Sequence, residues 1–431
     1  MRIGINGRFL VAKRTGVQRA AYNVIKTLIH IDRLNEYVIF TGGDQARNPD
    51  WIFANVQVVP SGIRPGDSLR NHFWEQFVLP RLAEEYEVDL LYSPANLAPF
   101  FYSGKSVIHI YDFCFVVNPQ WYSLSFRTLY NFLIPRLARR AARVITSSNN
   151  SRNDLLQFCG VEAEQVSMVY LAVDDTFSAK TDGDSQRPKA FPDDYILYVG
   201  SLEPRKNIGV LVEAYERLRA ERPELNTKLI LIGGESPLFA DVRLRVKRFK
   251  DDVIFKGFVE DTELRQYYRH ATLVAYPSLY EGFGLPPLEA MASGTPVVTS
   301  STSSLPEVVG DAALKVNPYD SEQLTQAMFS IISNPELRAD LVRRGLDQVK
   351  RFNWYHVARN TLAVFYEVSA SKGSEAAGTR GRRFIPFSLW RELTQLAEHQ
   401  SLCYASSSLK DADRGVRKHA PVKIEGIADE I

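Results

Sequence analysis

Two glutamates with seven residues between them carry the strongest chemical signal in this chain. Glu281 and Glu289 lie in PSLYEGFGLPPLEAMASGTPVV, residues 277–298. Gly282 and Gly284 permit a tight turn with exposed backbone N–H groups, and the two prolines that follow suit the first positions of a helix. Such N–H groups at a helix N-terminus bind anions, while flanking carboxylates accept hydrogen bonds from hydroxyl groups. The segment therefore predicts a site for a ligand that carries both phosphate and polyol groups, such as a nucleotide sugar.

A basic pair supplies a second anion-binding signal in the same half of the chain. Arg205 and Lys206 lie in YVGSLEPRKNIGVLVEAYERL (198–218), just before a helix predicted to begin at Ile208 with Asn207 as its N-cap. Arginine offers a planar fork and lysine a compact charge, a combination that suits a diphosphate. By itself the pair would be read as a solvated turn. For the glutamate segment, the alternative is that Glu289 is an ordinary acid at a helix start and that the glycines only turn the chain. Their occurrence in one domain favours phosphate binding.

Alternating strands and helices must position these residues. Short apolar runs alternate with amphipathic stretches as far as about residue 350, and a polar stretch at 178–194 interrupts the alternation. This pattern predicts an α/β protein with two facing Rossmann-like, doubly wound domains and an active site in the cleft between them. The predicted divisions are a first domain 1–180, a linker 181–194, a second domain 195–352, a helix 353–370 that crosses back, and a partly disordered tail 371–431 of unassigned role.

The predicted elements follow from the same alternation. Strands are expected at 2–7, 37–42, 56–60, 89–93, 106–112, 143–148, 166–171, 195–201, 228–234, 253–258, 271–278, 296–301 and 313–316. Helices are expected at 17–31, 70–86, 123–142, 149–158, 208–219, 238–249, 321–333 and 335–350.

Composition excludes several classes of protein. The 431 residues are 45% hydrophobic and 24% charged, which excludes a disordered or collagen-like chain. The net charge of +2 gives no field that would attract nucleic acid. Cys114, Cys159 and Cys403 have no metal-ligand spacing and are expected to be free thiols in a reducing compartment. With no signal peptide and no apolar run of about 18 residues, a cytoplasmic protein is expected.

Several motifs together resemble the retaining glycosyltransferases of family 4, which have the GT-B architecture. The resemblance covers about residues 1–368. Besides the glutamate pair, the matching segments are TGVQRAAYNVI (15–25), EPRKN (203–207), GFVED (257–261), SSLPEVVGDAAL (303–314) and RFNWYHVAR (351–359).

The resemblance implies roles for individual residues. Arg205 and Lys206 would hold the donor diphosphate, Glu289 the ribose hydroxyls, and Glu281 the donor sugar, together with the amides of Phe283 and Gly284. The other residues expected at the donor are Gly16 facing the diphosphate, Gly257, Phe258 and Val259 at the base, and Gly282 and Leu285 in the glycine loop.

One position departs from the family pattern. The family often has a His-Asp pair after the fifth strand of the first domain, whereas this chain has Tyr111 and Asp112. His109 lies two residues before Tyr111, on the same side of a strand, and would approach the space of the usual histidine. Alternatively, His109 is an ordinary strand histidine with its hydrogen bonds satisfied. Asp112 is expected to contact the acceptor or the donor sugar.

The resemblance also implies a mechanism without a metal or other cofactor. The acceptor would attack on the face that the leaving group departs from, and the leaving diphosphate would take the acceptor's proton. Arg205, Lys206 and the helix N-terminus would stabilise the charge that develops on the diphosphate. Two Asp-x-Asp strings, 182–184 and 411–413, lie in the polar linker and the tail and are interpreted as solvated.

EPRKN and SSLPEVVGDAAL look most like O-antigen and exopolysaccharide mannosyltransferases, so mannose from GDP-mannose is the expected donor. UDP-glucose and dTDP-rhamnose remain open. The expected acceptor is a saccharide linked to a polyprenyl diphosphate, and the arginine-rich helix 123–142 would either contact anionic lipid at the inner face of the cytoplasmic membrane or pack on the sheet.

Two other functions remain open: a nucleotide-sugar-binding protein that has lost turnover, suggested by Tyr111, and a two-domain sugar epimerase. A Rossmann oxidoreductase is disfavoured, because no G-x-G-x-x-G follows the first strand.

Overall fold

Two sheets form the framework of the molecule. The computed structural model describes residues 1–12, 15–42, 45, 48–178, 187–188, 191–234 and 252–371. The strands of the first sheet are β1 (Arg2–Asn6), β2 (Glu36–Thr41), β3 (Val56–Pro60), β4 (Leu90–Ser93), β5 (Ser106–His109), β6 (Arg143–Thr146) and β7 (Val166–Met168). Those of the second are β8 (Tyr195–Val199), β9 (Lys228–Ile232), β10 (Val253–Gly257), β11 (Leu273–Tyr276), β12 (Val297–Ser300) and β13 (Leu314–Val316).

Both sheets have the doubly wound topology that the alternation predicts. The first has the order β3-β2-β1-β4-β5-β6-β7 and the second β10-β9-β8-β11-β12-β13. Neighbouring strands pair in parallel throughout. In each sheet the chain reverses its winding direction beside the first strand of the domain, and ligands of such sheets bind outside the carboxyl ends of the strands at that point. The predicted α/β fold with two Rossmann-like domains is therefore confirmed.

Helices cover the sheets, and the central strands are buried apolar runs, as expected for parallel strands covered on both faces. In the first domain the helices are α1 (Gly16–Ile31), α2 (Ser68–Phe73), α3 (Leu79–Glu85), α4 (Cys114–Val117), α5 (Leu124–Arg140) and α6 (Asn149–Cys159). In the second they are α7 (Ile208–Glu221), α8 (Asp261–His270), α9 (Leu285–Ala292), α10 (Leu305–Val309), α11 (Ser321–Ser333) and α12 (Pro335–Val349), followed by α13 (Trp354–Ala370).

The last helix, α13, returns to the first domain. Its buried Val364 and Phe365 belong to the same apolar cluster as Val24 of α1. At its end, the ammonium of Lys105 donates to the carbonyl groups of Val368, Ser369 and Ser371, each at 3.0 Å. A cation at a helix C-terminus is favoured by the helix dipole. The predicted crossover helix is present.

Three local predictions from the sequence are wrong in detail. The strand predicted at 106–112 ends at His109. The helix predicted at 70–86 is interrupted by a π-helical turn, Trp74–Val78, between α2 and α3. Asn207 does not cap α7 with its side chain: it adopts a left-handed conformation (φ 59°), and its amide donates to the carbonyl groups of Pro277 and Pro318 at 3.0 and 2.6 Å.

Several predictions lie outside the described residues: the helix at 238–249, both Asp-x-Asp strings, Cys403 and the tail from 372 onward. Cys114 and Cys159 are buried free thiols. Within the described ranges, no helix has both the length and the apolar character that crossing a membrane requires.

Candidate active site

The two domains meet where the glycine loop of the second domain contacts the segment after β5. A Cβ atom at Gly282 would lie 2.5 Å from the carbonyl oxygen of Tyr111 and 2.9 Å from the Cβ of Asp112. The hydroxyl of Ser151 donates to the carbonyls of both Tyr111 and Gly282, at 2.9 and 3.3 Å. This close approach between backbones explains why position 282 is glycine, and it brings the predicted Asp112 next to the predicted loop.

The conformation of the glycine loop supports its predicted role in binding an anion. Gly284 has φ 114°, in the region that favours glycine, and a Cβ there would lie 2.8 Å from Leu305. The hydroxyl of Ser304 donates to the carbonyls of Glu281 and Phe283, at 2.9 and 2.7 Å. Within the described part of the chain, the N–H groups at 282–284 have no hydrogen-bond acceptor. The loop therefore has its carbonyls bound to protein and its N–H groups available to a ligand.

The predicted basic pair lies beside this loop and is bound to Glu281. The ammonium of Lys206 lies 2.6 Å from Oε1 of Glu281, and the guanidinium of Arg205 lies 3.1 Å from Oε2. The Tyr276 hydroxyl also donates to Oε1, at 2.9 Å. The side chains of Lys206 and Glu281 are 7% and 8% exposed. Sequence reasoning identified all three charged residues, but not that they form one buried network.

The charges of this network determine the protonation of Glu281. Burial would raise its pKa, but the neighbouring Lys206 and Arg205 outweigh that effect and lower the pKa of Glu281 to about 2. Glu281 is therefore a carboxylate at neutral pH. It holds the two cations in position, and Nε of Arg205 also lies 2.9 Å from Oε2 of Glu203, so a second carboxylate belongs to this network.

Asp112 lies at the same junction. Its carboxylate accepts a hydrogen bond from the N–H of Cys114 at 3.0 Å. Burial raises the pKa of Asp112, and the positive charge of Arg205 opposes that shift. The contact of Asp112 with a donor sugar or an acceptor hydroxyl stays a prediction.

His109 is a buried, neutral residue. Its ring stacks on the ring of Tyr111, with centroids 4.1 Å apart and planes 9° apart, so the two side chains share one side as predicted. Nδ1 lies 3.4 Å from the hydroxyl of Tyr92, and Nε2 has no partner among the described residues. Burial lowers the pKa of His109 to about 3. It therefore contributes no positive charge to the site at neutral pH.

Glu289 is the fifth residue of α9. Its Oε2 accepts a hydrogen bond from the Tyr268 hydroxyl at 2.9 Å, and its Oε1 lies 3.7 Å from the guanidinium of Arg19. Burial raises the pKa of Glu289, while the charge of Arg19 opposes that shift. The carboxylate still has acceptor capacity for a ligand hydroxyl.

Arg19 is the residue of this site that sequence reasoning missed. It lies in the first turn of α1, three residues after Gly16, and its guanidinium also lies 3.4 Å from Asp261 of α8. It therefore joins the first domain to the second at the site. The signal was present in TGVQRAAYNVI, from which only Gly16 was selected.

The remaining predicted donor residues lie in different local settings. Gly16 begins α1, and a Cβ there would meet nothing within 4 Å. Gly257 ends β10 with φ 63°, Phe258 is 73% exposed, and Val259 packs on the core of the second domain. Phe283 is buried and packs on Phe352, and Leu285 begins α9. The structure brings Arg205, Lys206, Glu281, Asp112 and the loop 282–284 together around one junction.

Two family models match this chain, one in each domain. The family described as Glycosyltransferase Family 4 matches residues 14–177, and the family described as Glycosyl transferases group 1 matches residues 182–348.

Curated relatives include several mannosyltransferases. The chain is 32% identical over 243 residues to the O-antigen chain mannosyltransferase B of Escherichia coli, covering 52% of this chain and 60% of that protein. It is 35% identical over 262 residues to the MMP alpha-(1->4)-mannosyltransferase of Mycolicibacterium hassiacum, covering 58% and 60%. A serotype-specific mannosyltransferase WbdA of Escherichia coli is 29% identical over 69% of this chain, which is 37% of that protein. The matches thus span less than two thirds of each relative.

Solved structures share the fold. Sucrose-phosphate synthase from Thermosynechococcus elongatus superposes with a TM-score of 0.69 at 20% identity, covering 86% of this chain and 99% of that one. Anabaena HepE in complex with UDP and glucose gives 0.65 at 20% identity, covering 85% and 100%. At this identity the likeness concerns the fold alone.

Proposed function

Because glycosyltransferase family models match both domains of this chain, Glycosyltransferase Family 4 the first and Glycosyl transferases group 1 the second, we propose that it transfers a hexose from a nucleoside diphosphate sugar to a saccharide acceptor with retention of anomeric configuration. The observation that carries the proposal is the junction of Arg205, Lys206 and the N–H groups at 282–284, which have no acceptor among the described residues; Gly282 of this loop lies directly against Asp112. Fixed cations and preorganised N–H groups are what a departing diphosphate requires.

In the proposed reaction, the anomeric carbon of the donor sugar exchanges one oxygen partner for another. The bond between the anomeric carbon and the diphosphate oxygen breaks, and the acceptor oxygen bonds to that carbon on the same face. The acceptor's proton passes to the departing diphosphate. Arg205, Lys206 and the loop N–H groups stabilise the negative charge that the diphosphate gains, so the reaction is expected to proceed without a metal. Glu289 would accept hydrogen bonds from the ribose hydroxyls.

The preferred donor is GDP-mannose. The support comes from relatives named as mannosyltransferases, at 32% and 35% identity. UDP-glucose and dTDP-rhamnose remain the alternatives. The proposed acceptor is a saccharide linked to a polyprenyl diphosphate, and surface polysaccharide synthesis is the process that the name of the O-antigen relative supports.

The test combines ligand binding with turnover. Thermal unfolding is measured with GDP, UDP, dTDP and their sugars, all in EDTA. A ligand present at 100 times its dissociation constant stabilises a protein by about 2.7 kcal/mol. We expect one diphosphate to raise the melting temperature clearly, and its sugar to be consumed when acceptor is present.

The diagnostic variant is Lys206→Ala, which is expected to abolish the shift caused by the diphosphate. Its matched control, Lys350→Ala, removes a lysine that is 72% exposed on α12 and should leave the shift unchanged. If Lys206→Ala binds the diphosphate as tightly as the parent, the assignment of the phosphate site is wrong. If the parent binds the diphosphate but transfers no sugar, the alternative of a nucleotide-sugar-binding protein that has lost turnover is favoured instead.

We also propose that the protein works in the cytoplasm at the inner face of the membrane. Free buried cysteines are typical of a reducing compartment. On α5 the apolar side chains of Tyr130 and Leu137 pack on the core, as in the alternative in which this helix packs on the sheet. A second face nevertheless exposes Leu129 and Phe132, 39% and 43%, and the guanidinium of Arg136 lies 3.7 Å from the Phe132 ring centroid. Apolar side chains among arginines suit an anionic lipid surface.

A further inference from the structure

The residue before Glu281 has a side chain that the proposed reaction does not use. Tyr280 belongs to the second domain, but its side chain is buried at the boundary with the first. Its hydroxyl accepts a hydrogen bond from the N–H of Phe113 at 3.3 Å and donates one to Oδ2 of Asp154 at 2.5 Å. Burial raises the pKa of Tyr280, so the hydroxyl keeps its proton at neutral pH and can make both bonds at once.

The neighbours of Tyr280 along the chain belong to the phosphate-binding network. Leu279 donates its N–H to the carbonyl of Arg205 at 2.8 Å. Glu281 binds the guanidinium of Arg205 and the ammonium of Lys206. This segment therefore contacts the cations through the residues on either side of Tyr280, and the first domain through Tyr280 itself.

The part of the first domain that Tyr280 contacts is the turn that carries Asp112. Phe113 directly follows Asp112, and the carboxylate of Asp112 accepts the N–H of Cys114 at 3.0 Å, so the acid is tied to the turn after it. On the other side of Asp112, the backbone of Tyr111 is held by side chains of the first domain. The Tyr280 hydroxyl thus holds the same turn from the side of the second domain.

Helix α6 fixes the Tyr280 hydroxyl from the first domain. Asp154 lies three residues after Ser151, on the same face of the helix, and Ser151 bonds to both domains at this junction. The carboxylate of Asp154 is itself oriented, because Oδ2 also accepts a hydrogen bond from the amide of Asn150 at 3.1 Å. The Tyr280 hydroxyl therefore has one oriented acceptor and one backbone donor, both in the first domain.

We propose that Tyr280 is a positioning residue, whose hydroxyl holds Asp112 in the orientation in which this carboxyl group contacts the reacting sugar or the acceptor. The inference rests on the proposed function and adds to it a residue that acts through another. Because the bond to Phe113 joins the two domains, Asp112 is fully held only when the second domain, which carries the donor, lies against the first. A phenylalanine at position 280 would fill the same space but could make neither bond.

The first experiment measures hexose transfer by Tyr280→Phe, which keeps the ring and removes both hydrogen bonds. Thermal stabilisation by the diphosphate and the KM for the donor should be unchanged, because the variant leaves the cations and the loop N–H groups in place. The kcat should fall about tenfold to a hundredfold, since misplacing a reacting group by about 1 Å can cost that much. Tyr355→Phe, the same substitution at an exposed position on α13, is the matched control and should behave like the parent.

A double-mutant cycle shows whether Tyr280 acts through Asp112. In an Asp112→Asn background, measured in single turnovers, Tyr280→Phe should cause no further loss of rate, because no carboxylate is left to position. Tyr170→Phe, which removes another tyrosine hydroxyl between the domains, should change the rate by the same factor in both backgrounds. If Tyr280→Phe loses the same factor with and without the Asp112 carboxylate, its role is only structural and the inference is wrong.

Hydrogen exchange covers the case in which Asp112→Asn has no measurable turnover, and it requires no substrate. Without its acceptor in Tyr280→Phe, the N–H of Phe113 should exchange about tenfold faster than in the parent. Asp154→Ala, which leaves the Tyr280 hydroxyl in place but unoriented, should accelerate the exchange less. Unchanged exchange in Tyr280→Phe would show that Tyr280 does not hold the turn, whatever reaction the protein catalyses. A parent that neither binds a diphosphate nor transfers a sugar would instead overturn the proposed function.

Discussion

At the scale of single residues, Glu281 connects the two cations to the glycine loop. It is a buried carboxylate within 3.1 Å of a guanidinium and 2.6 Å of an ammonium. The two cations lie only one residue apart and repel each other, so they are held together by the glutamate between them. Glu281 therefore contributes both to the stability of the fold and to the preformed geometry of the phosphate site.

Replacing Glu281 with glutamine keeps the shape and removes the charge. Breaking a buried ion pair leaves an uncompensated charge, so Glu281→Gln is expected to lower the free energy of unfolding by about 3 kcal/mol at neutral pH. Urea unfolding of the parent and the variant measures the difference. The control Glu336→Gln, at an exposed position in the first turn of α12, should change the free energy of unfolding by less than about 0.5 kcal/mol.

The same substitution has a defined dependence on pH. The pKa of Glu281 is lowered from 4.5 to about 2 in the folded protein. Between these values the unfolded chain binds a proton that the folded chain does not, so stability is lost as the pH falls from 4.5 towards 2. The difference in the free energy of unfolding between parent and variant should therefore become smaller as the pH falls. A difference that stays constant over this range would show that the charge of Glu281 is not what stabilises the network.

Local chemistry was enough to identify Arg205, Lys206, Glu281 and Glu289 from the sequence, because each lies beside a loop or helix N-terminus with a recognisable pattern. Arg19 escaped that reasoning. Its significance comes from Glu289, a partner that is remote along the chain. Nothing in the immediate neighbourhood of Arg19 distinguishes it from an ordinary charge on a helix.

At the scale of elements, α5 has two apolar faces with different roles. One packs on the core through Ile134 and Leu137, and the other exposes Leu129 and Phe132. The sequence pattern revealed the first face, because its spacing is that of a helix stripe. It did not reveal the second, whose members become a surface only when the helix is packed.

The exposed face predicts membrane association that can be measured. Leu129→Ser combined with Phe132→Ser should reduce cosedimentation with phosphatidylglycerol vesicles at least tenfold, because the apolar contact is lost while the arginines remain. Thermal stability should be nearly unchanged, since both side chains are substantially exposed. The control Leu346→Ser removes a leucine that is 37% exposed on α12 of the second domain. If the double variant and the Leu346→Ser control lose vesicle binding to the same extent, α5 is not the membrane contact.

Element boundaries were predicted less well than the elements themselves. The run SVIHIYD is apolar as far as Tyr111, yet β5 ends at His109 because the N–H of Tyr111 bonds to the side chain of Asn96 and not to a neighbouring strand. Similarly, the apolar spacing of 70–86 is compatible with one helix, and the π-helical turn at Trp74–Val78 produces no separate signal.

At the scale of the whole molecule, two domains and their parallel sheets follow from the alternation of elements, whereas the closure of the cleft depends on contacts that no local pattern encodes. Glu307 is the clearest example. It lies in α10 of the second domain, and its carboxylate accepts the N–H groups of Asn149 and Asn150, at 3.0 and 3.2 Å, at the start of α6 in the first. The Tyr170 hydroxyl donates to it as well, at 3.2 Å.

This contact predicts that Glu307 stabilises the closed arrangement of the two domains. A carboxylate at a helix N-terminus contributes about 0.3–1 kcal/mol, and up to about 2 when it is partly buried, so Glu307→Gln should shift the balance between closed and open forms up to about thirtyfold. Small-angle X-ray scattering should then show a larger radius of gyration for the variant without ligand. Turnover should fall, while the diphosphate still binds the second domain.

The control for this prediction is Glu322→Gln, which removes a glutamate that is 69% exposed on α11 and pairs with Arg217 of the same domain. Its scattering should match the parent. Tyr170→Phe removes one donor to Glu307 without changing any charge and should give a smaller opening in the same direction. If Glu307→Gln scatters like the parent and turns over normally, closure must depend on the other contacts between the domains, chiefly the approach of Gly282 to Tyr111 and the bonds of Ser151 to both.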